Sequence, residues 1–326
     1  MIEFRPSTPH DEPQIVGLLA CAFSVGLDAP FLNPMLVRWK YWEPCRQWPE
    51  PRSWVGEQDG RIVAHACLWP VTLETGEHGA AWIDWAADRR FSGAGRALVQ
   101  HLARSHAFIC AIGGSPKTQA ILPSLGFETV GDALTWARPL RPWRAARDQP
   151  LSARFVRSIW SALMPPRLVP RGFSTAPLSV RGDEILGDPP RPSCERDLSF
   201  VQFLGSCPVF SCLAFDIRNR QRKVGWFVLA AGRRQVRVAG IWLENPSPEN
   251  WRMAFNLAQR AARHHTDATE ILARCATRES CLGAEQAGMK LQNRQPIFLS
   301  WADGRALGLP IECQMCNDDA VFLNID

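Results

Sequence analysis

The sequence predicts an α/β fold, a mixed sheet with helices packed on it, built twice along the chain. Three observations carry this. The chain has 326 residues, and at roughly 150 residues per domain that length favours two domains. Residues 1–140 alternate strand and helix signals, and residues 195–326 repeat the same element order with a different sequence, the mark of a duplicated fold. Apolar residues make up 46% and charged residues 21%, so the chain can bury enough surface to offset the entropy of ordering. It has no uninterrupted apolar run of about 18 residues, as a membrane-spanning helix needs. Its start, Met1-Ile2-Glu3-Phe4-Arg5, has no apolar segment of a secretory signal, and the expected address is the cytosol.

Taken in order, Ile2–Arg5 reads as a short strand. Ile15, Leu18, Leu19, Ala22 and Phe23 then recur at helical spacing behind Asp11 and Pro13. Residues 53–58 and 61–73 are strands around Asp59-Gly60, the dipeptide that suits the type I′ turn demanded by strand twist. Residues 74–79 turn again, and Ala80–Ala87 is a third strand. A helix from Gly93 to about Ser105, an apolar strand over 107–112 and a short helix from Pro116 to Gly126 complete the first half. In the second half, strands are expected at Cys212–Ile217, Gly225–Ala231, Gln235–Leu243, Glu270–Cys275, Pro296–Trp301 and Val321–Ile325. Helices are expected at Glu249–Arg263 and over 278–288.

Between the halves, residues 141–194 read as a linker. The stretch 138–171 holds eight arginines and six prolines against one acid, Asp148. Within it, Leu151–Met164 is amphipathic, with Phe155, Val156, Ile159, Trp160 and Leu163 on one side. Such a segment can lie on an anionic membrane, but a helix docked between domains is the preferred reading. The net charge of +5 is too mild for a nucleic-acid binder, and only four of the 37 basic residues are lysines, which reads as coding bias toward arginine. Eleven cysteines, an odd number and several within apolar runs, read as reduced buried thiols. Cys313-x-x-Cys316 lacks a second pair of the same spacing, so no metal is expected.

The most informative chemistry is Arg90-Phe91-Ser92-Gly93-Ala94-Gly95-Arg96, set between a strand and a helix. Glycines let backbone approach a ligand closely, and the free amides of a first helical turn bind anions, a diphosphate above all. The motif lacks the Gly-Lys-Ser/Thr ending of a Walker loop, and Leu98 replaces the third glycine of a dinucleotide fingerprint.

With a strand before it, a helix after it, the strand 107–112 and Leu125-Gly126-Phe127 beyond, this motif resembles the GNAT N-acetyltransferase superfamily. There, Arg/Gln-x-x-Gly-x-Gly/Ala cradles the pyrophosphate of acetyl-coenzyme A, and the matching residues are Arg90, Gly93 and Gly95. Trp39-Lys40-Tyr41, Glu57-x-x-Gly60-x-Ile62-Val63 and Ile112-Gly113-Gly114-Ser115 add a likeness to tandem GNAT proteins linked to polysaccharide biosynthesis. The resemblance implies an acetyl-coenzyme A-binding domain over 1–140 and a degenerate GNAT-like domain over 195–326. It places the cofactor on Trp85, Ala86, Arg90, Phe91, Ser92, Gly93, Ala94, Gly95 and Arg96, with Trp85 and Ala86 facing the pantetheine arm.

It also implies a carboxylate base, and Asp84 is the only acid within strand 80–87. An amine must lose a proton before it attacks a thioester, and partial burial between Trp82 and Trp85 would suit Asp84 to that task. The alternative for Asp84 is an acid that caps a turn or pairs with Arg89 or Arg90. The family's tyrosine acid falls on Leu122, and the chain's only tyrosine is Tyr41. Glu244-Asn245-Pro246-Ser247-Pro248-Glu249 replaces the phosphate loop in the second half, which is expected to wall an acceptor cleft without binding coenzyme A. Trp39, Tyr41, Trp42, Trp69 and Trp242 are candidates to stack on a sugar. The expected activity is acyl transfer from coenzyme A to a primary amine, with amino sugars among the candidate acceptors. The alternatives are a coenzyme A-binding protein without turnover and an aminoacyl transferase drawing on charged transfer RNA.

Overall fold

The computed structural model describes residues 1–45, 48, 50–72, 77–141, 169–178, 198–304 and 313–315. Leu151–Met164, Val321–Ile325 and Cys316 lie outside these residues.

The first half runs β1 (Glu3–Pro6), α1 (Glu12–Phe23), α2 (Pro34–Trp42), β2 (Ser53–Gln58), β3 (Arg61–Thr72), β4 (His78–Ala87), α3 (Ala94–Ala103), β5 (Phe108–Ile112), α4 (Pro116–Ile121) and β6 (Glu128–Pro139). The second runs β7 (Phe173–Leu178), α5 (Leu198–Gly205), β8 (Ser211–Asn219), β9 (Arg222–Ala231), β10 (Gln235–Leu243), α6 (Pro248–His265), β11 (Glu270–Cys275), α7 (Arg278–Gln286) and β12 (Lys290–Trp301). Strand β7 falls inside the stretch read as linker.

Local chemistry explains most of these elements. The β2–β3 turn has φ of 51° at Asp59 and 73° at Gly60, the doubly left-handed pair of a type I′ turn. Helix α2 is absent from the expected elements, although Asn33 caps it by accepting from the Met35 amide at 2.9 Å and Pro34 fills its first position. It buries Leu36, Val37, Lys40 and Tyr41. A charged residue on that buried face breaks the amphipathic pattern by which helices are recognised.

The twelve strands among the described residues join one sheet in the order β1-β2-β3-β4-β5-β12-β6-β11-β10-β9-β8-β7. The halves exchange their last strands. β12, from the end of the chain, lies antiparallel between β5 and β6, with Leu299 opposite Cys110 and Pro296 opposite Asp132. β6 of the first half continues the second half by pairing with β11, Ile271 opposite Arg138. Each half therefore needs the other to complete its sheet, and the exchange covers strands that would otherwise be open edges.

Two residues of the arginine-rich stretch secure this joint. Arg138 is 2% exposed and donates to Gln259 Oε1 at 2.9 Å. Arg141 donates to the carbonyls of Arg263, Ala268 and Thr266 at 2.6–2.7 Å, closing the end of α6. Helix α5 then lies against α2: Trp39 stacks on Phe203 at 4.5 Å and its indole donates to Ser206 Oγ at 2.9 Å. One apolar core runs through both halves here. Trp39 and Trp69 are 4% and 0% exposed and Tyr41 is 2% exposed. These three rings are core, which corrects their reading as a sugar platform; Trp42 and Trp242 are half-buried.

Candidate functional site

Strand β4 pairs with β5 only at Ala80–Ile109 and Ala81–Cys110. Beyond that point the strands diverge and leave a gap in the sheet. A bulge accompanies the divergence. Against β3, Ile83 faces Cys67 and Ala86 faces His65, so Asp84 and Trp85 stand opposite a single residue. Asp84 takes φ of 50°, a left-handed conformation in which Asp and Asn are enriched among non-glycine residues. Ordinary alternation would send Asp84 to the face of Trp82. The bulge instead puts Ile83 and Asp84 on the α1–α2 face, while Trp82 and Trp85 meet each other on the opposite face at 4.8 Å.

Asp84 is therefore not between the two tryptophans, and its partner is neither Arg89 nor Arg90. Its Oδ2 forms an ion pair with Lys40 Nζ and accepts from the Tyr41 hydroxyl at 2.7 Å. The Lys40 side chain is 1% exposed and that of Asp84 4%. The Asp84 carbonyl is held as well, by His65 Nδ1 at 3.0 Å. A carbonyl only accepts, so Nδ1 carries the proton and Nε2 must accept from Ser53 Oγ, 3.0 Å away. Ser53 in turn accepts from Ser7 Oγ at 2.6 Å, and Ser7 from the Trp42 indole at 3.0 Å. Burial keeps His65 neutral, with its pKa lowered to about 4 despite the nearby Asp84 charge. The bulge is thus gripped through both its side chain and its backbone.

Four lysines stand in this arginine-rich chain, and Lys40 occurs at a helix position with Leu36 four residues before it and Tyr41 beside it. That is the signal by which this residue could have been found. His65, Ser53 and Ser7 offer no comparable signal, because they meet only through the β1–β2–β3 register.

At the far end of β4, Gly93 caps α3 in the left-handed conformation, φ 84°, and no side chain caps the helix. The Phe91 and Ala94 amides are used within the loop, by the carbonyls of Asp88 and Phe91. Those of Ser92, Gly93, Gly95 and Arg96 have no backbone acceptor among the described residues, which leaves an anion-binding corner. A Cβ on Gly95 would lie 2.9 Å from Ala87 Cβ and 3.2 Å from the Trp85 ring. The helix start is thereby held tight against β4, and Trp85 Nε1 donates to the Gly95 carbonyl at 3.3 Å. Gly95→Val is expected to push α3 off the strand and cost about 1–3 kcal/mol, read from urea unfolding midpoints; an unchanged midpoint would show that the contact is slack.

The remaining expected residues divide. Ala86 is buried opposite His65, and Trp85 is half-buried with its ring on the α3 face. Arg90 is exposed but bound to Asp88 through Nε at 3.0 Å and Nη2 at 2.6 Å. Arg61 also reaches Asp88, at 3.1 Å, and covers Phe91. Arg96 donates to the Ser124 carbonyl at 3.2 Å. A cleft of about 480 Å³ opens between α1 and this loop, lined by Gly17, Ile62 and Ala87, with Arg61, Arg89 and Arg90 against one acid, Asp88. Three guanidinium groups to one carboxylate favour an anionic ligand.

The second half is built otherwise. Ser247 caps α6 by accepting from the Asn250 amide at 3.3 Å, Pro248 removes another amide, and Glu249 sits in the first turn. Among the described residues no group of three His, Cys, Asp or Glu side chains gathers as metal ligands. No described helix is long and apolar enough to cross a membrane.

Residues 18–109 match the sequence model of the acetyltransferase (GNAT) family. No curated protein matches the chain by sequence. Among solved structures, a GCN5-related N-acetyltransferase from Anabaena variabilis is similar over 93% of this chain and 73% of its own, with 10% identity and a TM-score of 0.58. A tandem GNAT protein from the clavulanic acid biosynthesis pathway is similar over 93% of this chain and 99% of its own, at 14% identity and a TM-score of 0.57. A GCN5-related N-acetyltransferase from Sphaerobacter thermophilus covers 92% and 96%, at 16% identity and a TM-score of 0.52. The first half of the chain thus carries the sequence pattern of the GNAT family, and the whole has the fold of a tandem GNAT protein.

Proposed function

We propose that the protein is an N-acyltransferase that takes an acyl group from coenzyme A and transfers it to a primary amine, with amino sugars among the candidate acceptors. The observation that supports this reading best is the divergence of β4 from β5 on the strand that runs on into the uncapped start of α3. The residues present fit an acyl-coenzyme A: amides without a backbone acceptor at the helix start, a left-handed Gly93 with open space around its Cα, and a cleft rich in arginine. When bound, that molecule supplies the activated acyl thioester. The amides of Ser92, Gly93, Gly95 and Arg96 hold its phosphates, and Arg89 and Arg90 add charge at the rim. The Trp85 backbone offers its N–H and C=O to the arm that enters the gap.

Asp84 enters this reading as a positioning residue. Its carboxylate is buried and engaged by Lys40 and Tyr41, so it shapes the strand in place of taking the proton of the amine. Asp84→Asn separates the two roles. A positioning role weakens acetyl-coenzyme A binding and leaves the pH profile of kcat in place; loss of the acidic limb of that profile would restore Asp84 as the base.

Binding itself is tested at Ser92, which is exposed just ahead of the helix cap. Acetyl-coenzyme A at about 100 times its Kd should stabilise the protein by about 2.7 kcal/mol. Ser92→Asp places a negative charge where the phosphates sit. It should lower acetyl-coenzyme A affinity at least tenfold while the free protein keeps its Tm, because an acid near a helix start favours the helix. Absence of a thermal shift in the wild type would overturn the cofactor assignment.

One observation favours binding without turnover. Leu122, where the family's tyrosine acid falls, is fully buried, and Tyr41 is committed to Asp84. Release of free thiol with a panel of amines distinguishes the two readings.

A further inference from the structure

The second half contains its own gap. β10 pairs with the parallel strand β11 only over Gln235–Arg237, opposite 270–272, and then diverges, while β11 stays paired with β6 as far as Cys275. A bulge between Val238 and Gly240 accompanies the divergence. In sheet order β10 and β11 stand where β4 and β5 stand in the first half. Ile241 lies four residues past the last β10–β11 pair, as Trp85 lies four past the last β4–β5 pair.

This second gap is filled by the chain itself. The Ile241 amide donates to Gln314 Oε1 at 2.6 Å, and Gln314 Nε2 donates to the Ile241 carbonyl at 2.8 Å. One carboxamide therefore satisfies both backbone groups of a residue whose strand neighbour has moved away. Its flanking residues Cys313 and Met315 are each 2% exposed and belong to the core shared by the two halves, which fixes the carboxamide in place.

We propose that the β10 edge at Ile241 is an amide-binding site, that Gln314 is its built-in ligand, and that the segment 313–315 thereby closes the second half to any extended secondary-amide ligand. The sequence around Glu244–Glu249 removes the phosphate corner; Gln314 independently occupies the edge that an amide-bearing arm would need. The two halves then differ in occupancy more than in backbone geometry. Among the described residues no side chain bonds the Trp85 backbone, whereas Gln314 engages that of Ile241.

Hydrogen exchange on the full chain tests this, with D-pantetheine, a small diamide without phosphate, as the probe. In wild type the Ile241 amide is expected to be protected, and pantetheine should leave peptides over 238–243 unchanged. In Gln314→Ala that amide should exchange at least tenfold faster, and millimolar pantetheine should restore protection. Gln314→Glu keeps the acceptor and loses the donor, so it should fall between the two and guards against a variant that merely misfolds. Equal exchange at Ile241 in all three proteins would show that Gln314 is not held there. No protection of Gln314→Ala by pantetheine would show that the edge is not a ligand site. The readout lies on β10, so it stands apart from any failure of acetyl-coenzyme A to bind beside α3.

Discussion

Lys40→Met is expected to destabilise the fold by about 3–5 kcal/mol, because removing one partner of a buried ion pair strands the other charge. The Asp84 carboxylate is shielded from water: its side chain is 4% exposed, and its other described partner is the Tyr41 hydroxyl. Asp84→Asn should cost a similar amount by leaving the ammonium of Lys40 in the core, and asparagine keeps the left-handed backbone at little strain. The double variant Lys40→Met/Asp84→Asn should recover most of the loss, since a neutral pair of similar volume pays no desolvation of charge. Urea unfolding of the four proteins closes the cycle, and a coupling larger than about 3 kcal/mol is expected, above the usual range for neighbouring residues. Simple additivity would show that the two groups do not act on each other. The double variant also isolates the bulge: where stability returns and acetyl-coenzyme A affinity does not, the ion pair shapes the gap beyond its share in holding the fold.

The second large effect is a dependence of stability on pH carried by His65. Burial lowers its pKa from 6.5 to about 4. Between those values the unfolded chain binds a proton that the folded protein does not, so stability rises with pH across this window. The contribution is complete above pH 6.5 and is lost as pH falls toward 4, a change of about 3 kcal/mol at 1.36 kcal/mol per pKa unit. Below pH 4 both states are protonated and this dependence ends. His65→Gln should flatten the stability curve between pH 4 and 6.5 relative to wild type, measured by urea unfolding at half-unit steps. Parallel curves would place the titration elsewhere. Protonation would also give Nε2 a hydrogen, which turns the Ser53 contact from acceptance to donation. Acid is therefore expected to disturb the Ser53–Ser7 end of the chain of hydrogen bonds, while the Nδ1 bond to the Asp84 carbonyl is kept.

How much of this was legible depends on how local each signal is. The β2–β3 hairpin follows from Asp59-Gly60, whose two positive φ values are a property of four consecutive residues. The helix after Gly93 follows from apolar spacing at Leu98, Val99 and Leu102, all buried against the sheet. The anion corner was readable because glycine and helix-start chemistry lie within seven residues, 90–96. The roles of the arginines within it were not: Arg90 is bound by Asp88 and Arg96 by the Ser124 carbonyl. Those partners depend on loop closure and on a turn 28 residues away. Helix α2 was hidden by the lysine on its buried face, and the arginines at 138 and 141 looked like part of a basic linker until the docking of α6 gave them acceptors.

By itself the sequence determined most of the element order, the hairpin, the duplicated architecture and the glycine-marked start of α3, because each is written in neighbouring residues whose conformational preferences act over a turn or a strand. Tertiary structure alone decided the rest. It exchanged β6 and β12 between the halves, since strands of like alternation carry no label for a distant partner. It moved Asp84 to the α2 face through one bulged residue, and there it set Lys40, Tyr41 and His65 around it. It filled the second gap with Gln314, 73 residues from Ile241. Such contacts arise only where separate segments converge on the same buried polar groups, whose need for partners is met by whatever side chain the packing brings within reach.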